Sequence, residues 1–239
     1  MNKIIIETWG DFACFSRPES KVERLTYPVM TPSAARGILS AIYSKPPEFY
    51  WQICRIEVLN PIKYLSFKRN EVINSKIGRN LKPILVEDTK ESGAEHRTQR
   101  QTVVLKDVRY RITAKIIPRK DYKGTVEQLY NQAVRRIQNG KCFFQPSMGM
   151  REFVCYYSEP TEMEPIKENM DLGIMLYDVF DLHKYEVTPK AEPFVSLFHA
   201  KLENGILEVP PYDSELVLKP EGASRKRINT RVAKKNTSV

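Results

Sequence analysis

Val108-Arg109-Tyr110-Arg111-Ile112-Thr113-Ala114-Lys115-Ile116, followed by Thr125-Val126-Glu127-Gln128 and later Gly140, is the stretch that decides the fold. The first part alternates apolar with basic or hydroxyl residues, so it predicts a strand with one buried face and one basic face. The second part is punctuated as a helix. Thr125 and Gln128 match a capping box, and Gly140 stands where a helix-ending glycine belongs. Val126, Leu129, Tyr130, Ala133 and Ile137 form one apolar face, leaving Arg135, Arg136 and Gln138 for solvent or ligand.

The same grammar recurs upstream. Lys3–Trp9 is β-rich and closed by Gly10. Thr31-Pro32 predicts an N-cap with proline at the first helical position, and Ala35, Ile38, Leu39 and Ile42 follow at helical spacing until Pro46-Pro47. Residues 49–59, 62–67, 142–144 and 152–157 read as strands, while 73–95 read as a polar, flexible insertion. The order strand, helix, two strands, strand, helix, strand predicts an α+β protein. It would hold a doubled βαβ unit of ferredoxin-like type, with an antiparallel sheet and two helices, over residues 1–158. Residues 172–182, 198–202 and 206–209, with Asn204-Gly205 as a hairpin turn, predict a small C-terminal β annex over 159–216. A basic, disordered tail is expected over 217–239.

At 239 residues the chain can bury a full core. A hydrophobic share of 41% excludes wholesale disorder. No apolar run approaches the roughly 20 residues of a membrane span, and no secretory pattern follows Met1, so a cytoplasmic protein is expected. Cys14, Cys54, Cys142 and Cys155 include no CxxC pair, so neither a disulfide framework nor a zinc site is expected. The net charge of +9 is unevenly spread. Residues 1–150 carry 26 Lys and Arg against 14 Asp and Glu, residues 151–216 carry 5 against 14, and residues 217–239 carry 7 against 1. Such asymmetry suits a basic face for a polyanion.

No Walker P-loop, GxGxxG, HExxH or GxSxG is present, which argues against nucleotide-driven motors, dinucleotide enzymes and zinc proteases. Basic residues interleaved with aromatics remain: Phe15-Ser16-Arg17, Tyr64 through Lys68-Arg69-Asn70, and Arg97-Thr98-Gln99-Arg100. Arginine forks hold phosphate and aromatic faces stack on unpaired bases, as single-stranded RNA requires. The loop Gln145–Arg151 can present backbone amides to a phosphate, or simply make a tight helix-to-strand connection. Tyr43, at the end of the first helix, offers a phenol to a ribose hydroxyl with Lys45 beside it as a cation. The same position also suits a half-buried core residue. His183 and His199 fall in the acidic annex and read as structural or surface residues.

Trp9-Gly10-Asp11-Phe12-Ala13-Cys14-Phe15-Ser16-Arg17-Pro18-Glu19 with Lys21-Val22-Glu23-Arg24 resembles the opening of the CRISPR-associated Cas-five family, Dvulg subtype (type I-C). Thr31–Leu39, Arg69-Asn70-Glu71-Val72, Arg97–Arg100, Gly149-Met150-Arg151-Glu152-Phe153 and Asp171-Leu172-Gly173 fit in the expected order. The resemblance implies an RNA-recognition-type (RAMP) ferredoxin-like domain and metal-independent cleavage of CRISPR precursor RNA at the repeat hairpin. It also implies retention of the product's 5′ handle in an interference complex with backbone and large subunits. No metal or other cofactor is implied. Tyr43 matches the family's catalytic tyrosine. The family's Lys-His pair falls near Gln128-Leu129, which the capping box and the apolar face already explain; Lys120 and Lys123 lie just upstream. RNA contacts are assigned to Arg17, Lys21, Arg36, Lys45, Lys68, Arg69, Arg97, Arg100 and Arg151. Two readings stay open: an endoribonuclease using Tyr43, and a non-catalytic scaffold that caps the guide's 5′ end.

Overall fold

The computed structural model describes residues 3–20, 22–72, 97–185 and 194–220. In chain order the elements are β1 (Lys3–Ala13), β2 (Arg24–Leu25), α1 (Pro32–Ile42), β3 (Phe49–Val58), β4 (Tyr64–Val72) and β5 (Arg97–Pro118). They continue with α2 (Val126–Gln138), β6 (Tyr156–Ser158), β7 (Met170–Asp178), β8 (Ser196–Glu203), β9 (Ile206–Glu208) and β10 (Val217–Leu218). The helix signals act locally as predicted. Thr31 accepts from the Ala34 amide, both halves of the Thr125/Gln128 capping box form, and Gly140 takes φ +61° just beyond α2.

The fold is α+β. Strands β6, β1, β5 and β3 lie side by side in that order, every pair antiparallel. The register sets Ile6, Ile112 and Ile56 in one cross-strand row, with Ile4, Ala114 and Ile53 in the next. These side chains are buried in one core with Ile38, Leu39 and Ile42 of α1 and Leu129, Ala133 and Ile137 of α2. Each such Ile or Leu contributes about 1.5–3 kcal/mol on leaving water. Val126, expected on the apolar face of α2, is instead 40% exposed at its first turn.

The other face of β5 is basic in sequence but not free. Glu7 is fully buried and pairs with Arg109, while Arg111 Nη1 lies 2.6 Å from Glu57. Arg111 Nη2 also donates to the carbonyls of Thr161 (2.9 Å) and Met163 (2.6 Å). The strap of residues 159–166 therefore covers this face. Burial alone would raise the Glu7 pKa, but hydrogen bonds from the Thr161 amide and hydroxyl and the Arg109 guanidinium hold it below its ordinary value.

Several boundaries differ from the sequence reading. Strand β1 runs through Gly10 because the missing side chain admits the Val154 carbonyl, which would lie 2.6 Å from a Cβ there. Strand β5 is 22 residues long, and its outer half, with β4 on one side and β2 on the other, forms an arm. Residues 142–144 are not a strand. The Phe143 amide donates to Ala41 O, and Phe143 and Phe144 are 56% and 63% exposed. The insertion at 73–95 lies outside the described residues.

The annex is joined to the main sheet. Strands β7, β8 and β9 make antiparallel pairs, and β9 continues the sheet by pairing with β3. Asn204 and Gly205 take φ +48° and +73°, the left-handed pair that the predicted hairpin turn requires. Val217 is buried and β10 pairs with β8, so the fold continues to residue 220, past the expected start of the tail at 217. Residues 221–239 lie outside the described residues.

Candidate nucleic-acid interface

Four segments converge on a groove of about 530 Å3: residues 14–16 after β1, the outward face of α1, the loop 144–151, and Leu176 and Phe180 at the end of β7. Helix α1 lines it with the small residues Ser33, Gly37 and Ser40. Loop 144–151 is fixed against β1: the Cys14 amide donates to Met148 O at 3.0 Å, and Gly149 takes φ +84°. A Cβ on Gly149 would lie 2.0 Å from the Cys14 carbonyl oxygen. This close approach is the tight-turn reading of the loop. Arg151 stands exposed at one lip with Phe144, and Arg36 at the other with Phe180.

Arg36 is already engaged. Its Nε and Nη2 meet Asp178 Oδ2 and Oδ1 at 2.5 and 3.0 Å, joining α1 to β7, and its guanidinium lies 5.3 Å over the Phe180 ring. Arg17 lies 4.7 Å over Tyr27 and 3.5 Å from Glu19. On the arm, Lys68 is exposed on the outer side of β4. Arg69 faces the other way, stacking on Phe67 and reaching Glu152 at 2.6 Å, which fastens the arm to the groove loop. Arg100 lies 3.6 Å from Glu71. Arg97 opens β5 opposite Val72. Lys21 lies outside the described residues.

Tyr43 and Lys45 sit apart from this groove, at the C-terminal end of α1. Tyr43 caps the helix, its backbone amide bonding Leu39 O and its carbonyl accepting from Trp51 Nε1. It is 1% exposed, with its ring 5.3 Å from Phe49 and its hydroxyl donating to Gln132 Oε1 at 3.1 Å. Burial pushes the phenol's pKa up, and the nearby charge of Lys45 pulls against it. Lys45 lies 3.0 Å from Glu48, a hydrogen bond that raises its own pKa. Gln128 serves the capping box and Leu129 is buried, as the helix pattern predicts; Lys120 and Lys123 are exposed. Beside this corner, Arg136 donates to Ile42 O at 2.7 Å and stacks 4.2 Å over Phe143. His183 Nε2 lies 2.6 Å from Asp213, and His199 is half exposed, 3.3 Å from Asp171.

Sequence reasoning missed Phe144 and Phe180. No local motif marks them, since each matters only through segments that the fold brings beside it.

An α+β protein whose helix-backed antiparallel sheet carries a groove lined by arginine and exposed aromatics has the make-up of a polyanion-binding protein. Residues 3–210 match the family of CRISPR-associated protein (Cas_Cas5), subtype Cas5d. The chain belongs to that family. It is 40% identical over 232 residues to a protein of Mannheimia succiniciproducens, covering 90% of this chain and 98% of the relative. It is 41% identical over 224 residues to one of Thermus thermophilus, covering 88% and 92%. Both relatives are named CRISPR pre-crRNA endoribonuclease Cas5d. Two solved structures share the fold. A CRISPR-associated protein matches with TM-score 0.62 at 20% identity, and a functionally uncharacterized Streptococcus mutans protein with 0.60 at 19%; each comparison covers 90% of this chain and 96% of the other.

Proposed function

We propose that this chain is the pre-crRNA endoribonuclease of a type I-C CRISPR system, acting in the cytoplasm. It binds the repeat hairpin, cuts it without a metal, and stays on the 5′ handle beside the backbone and large subunits of the interference complex. The observation that carries this reading is the 40% identity, over nine-tenths of the chain, to a relative named for that activity. The strand order β6-β1-β5-β3, with a helix after β1 and another after β5, supports a ferredoxin-like core within it. RNA contacts are assigned to Arg151 at the groove lip, Arg17 beside it, and Lys68, Arg69, Arg97 and Arg100 on the arm; Lys21 and Lys45 complete the basic set. Arg36, whose guanidinium is held by Asp178, is not counted among them and has a structural role in the groove wall.

Cleavage by this route is attack of a ribose 2′-OH on the adjacent phosphorus, expelling the 5′-oxygen and leaving a 2′,3′-cyclic phosphate. It needs a group that orients or deprotonates the hydroxyl and a cation for the phosphorane. Tyr43 supplies the phenol once bound RNA replaces Gln132 as its hydrogen-bond partner, and Lys45 the neighbouring cation. The burial of Tyr43 favours the second reading, a scaffold that holds the handle while another nuclease cuts. A gel assay on the cognate repeat hairpin in EDTA separates them. Cleavage that persists in EDTA, stops with a 2′-deoxy residue at the cut site and falls in Tyr43→Phe establishes the nuclease using Tyr43. Tight binding without cleavage establishes the scaffold.

A further inference from the structure

A second cavity, of about 180 Å3, opens beside the C-terminal half of α1 and shares Arg36, Ser40 and Phe180 with the large groove. It is smaller than the roughly 300–1,000 Å3 of sites that enclose a whole ligand, and it suits one planar ring system. Its rim is aromatic. Phe180 and Tyr185, 43% and 48% exposed, both line it. Arg119 lies 5.3 Å from the Tyr185 ring and gives three of its five N–H donors to the carbonyls of Pro46, His183 and Lys184. Arg119 therefore holds the segment 183–185 in place.

The wall contains Asp181, which is 8% exposed. Its Oδ1 accepts from the His183 amide and the Tyr212 hydroxyl, each at 3.1 Å. Its Oδ2 is buried with no hydrogen-bond partner among the described residues, and the Lys184 ammonium stands 3.9 Å away. A buried carboxylate oxygen without a donor is a costly arrangement that a ligand N–H relieves. A carboxylate repels phosphate, so a donor that bound RNA offers to this oxygen comes from a base and not from the backbone.

We propose that this cavity takes one unstacked guanine of the bound RNA, an inference that rests on the RNA-binding function above. Guanine is the base whose Watson–Crick edge presents two adjacent N–H donors, at N1 and N2, beside an acceptor, O6. Asp181 Oδ2 accepts from the donors and Lys184 donates to O6. Adenine and cytosine place an acceptor nitrogen next to their amino group, and uracil flanks its single N–H with two carbonyl oxygens, so each turns at least one lone pair toward the carboxylate. Phe180 and Tyr185 supply the faces against which an extruded base stacks.

The test uses the full chain and fluorescent octauridylates carrying one central guanosine, inosine, adenosine or cytidine, with the cognate repeat hairpin as a parallel probe. Fluorescence anisotropy is expected to give guanosine about tenfold tighter binding than inosine, which lacks only the 2-amino group. In Asp181→Asn the amide oxygen still serves His183 and Tyr212 while the NH2 opposes guanine's donors, so the guanosine preference over inosine is expected to vanish. Phe180→Ala, a change at an exposed side chain, is expected to weaken binding of all three non-uridine bases and inosine alike. Equal affinity of the wild-type protein for guanosine and inosine, with the hairpin still bound, overturns the pocket assignment alone. A guanosine preference that survives Asp181→Asn overturns the role of Asp181. Failure to bind the hairpin at all refutes the RNA-binding function and the pocket with it. If Asp181→Asn does not fold, the wild-type comparison and Phe180→Ala decide.

Discussion

Replacing Arg36 with alanine separates a structural arginine from an RNA-binding one. Arg36 is about four-fifths buried and makes a two-pronged contact with Asp178, itself 2% exposed, at 2.5 and 3.0 Å. Asp178 Oδ1 also accepts from the amides of Val179 (2.7 Å) and Phe180 (3.1 Å), so it organises the turn that carries the groove's aromatic lip. In Arg36→Ala the carboxylate keeps those two donors and loses its countercharge. Breaking one side of a buried ion pair costs about 3–5 kcal/mol, and the retained amide bonds with water entry at this partly open site reduce that to about 2–3 kcal/mol. At about 2–4 °C per kcal/mol for a chain of this size, the expected fall in Tm is about 5–10 °C. Circular dichroism melts of wild type, Arg36→Ala, Asp178→Asn and the double variant measure it. The double variant is expected to lie closer to wild type than additivity allows, because the neutral amide no longer needs a cation. A Tm for Arg36→Ala within about 2 °C of wild type, with repeat-RNA affinity lost, would refute the reasoning and return Arg36 to the RNA-binding set.

Gly149→Ala forces a Cβ onto the Cys14 carbonyl at a left-handed φ, so the loop must leave β1. A loss of at least about 2 kcal/mol is expected in urea unfolding, and an unchanged midpoint would show that the loop has another home. Glu7 has a folded-state pKa below its ordinary value of 4.5, so its contribution is present above about that pH and is lost as the pH falls through the lower folded value. Glu7→Gln is therefore expected to lower stability at neutral pH and to flatten its decline below about pH 4.5; parallel acid-unfolding curves for the two proteins would contradict this. Arg151→Ala, at an exposed lip, is expected to leave the melt unchanged. It should weaken repeat-RNA binding and reduce the slope of log K against log salt by about 1. An unaltered slope would remove Arg151 from the phosphate contacts.

Much of this architecture is local grammar. Thr31-Pro32 and Thr125-Val126-Glu127-Gln128 start helices through hydrogen bonds that span three or four residues, and Asn204-Gly205 turns a hairpin through its own φ angles. The apolar alternation at 108–116 needs no knowledge of its neighbours to announce a buried strand face. Those features, together with the chain's uneven charge, were determined by the sequence alone, because their energies are decided within one turn or one strand.

The tertiary structure decided which charges are free. Arg109 and Arg111 look like a basic face until β1 and β3 bring Glu7 and Glu57 alongside. Arg36 looks like a phosphate ligand until Asp178, 142 positions away, reaches it. Tyr43 looks like a helix-end phenol until α2 places Gln132 against its hydroxyl. Asp181 carries no sequence signal at all, and becomes a candidate base reader only where the segment after β7 closes against α1 and β3. Charge and hydrogen-bonding capacity are properties of a side chain, but whether they are spent is a property of the partner that long-range strand pairing and helix packing bring within about 3 Å.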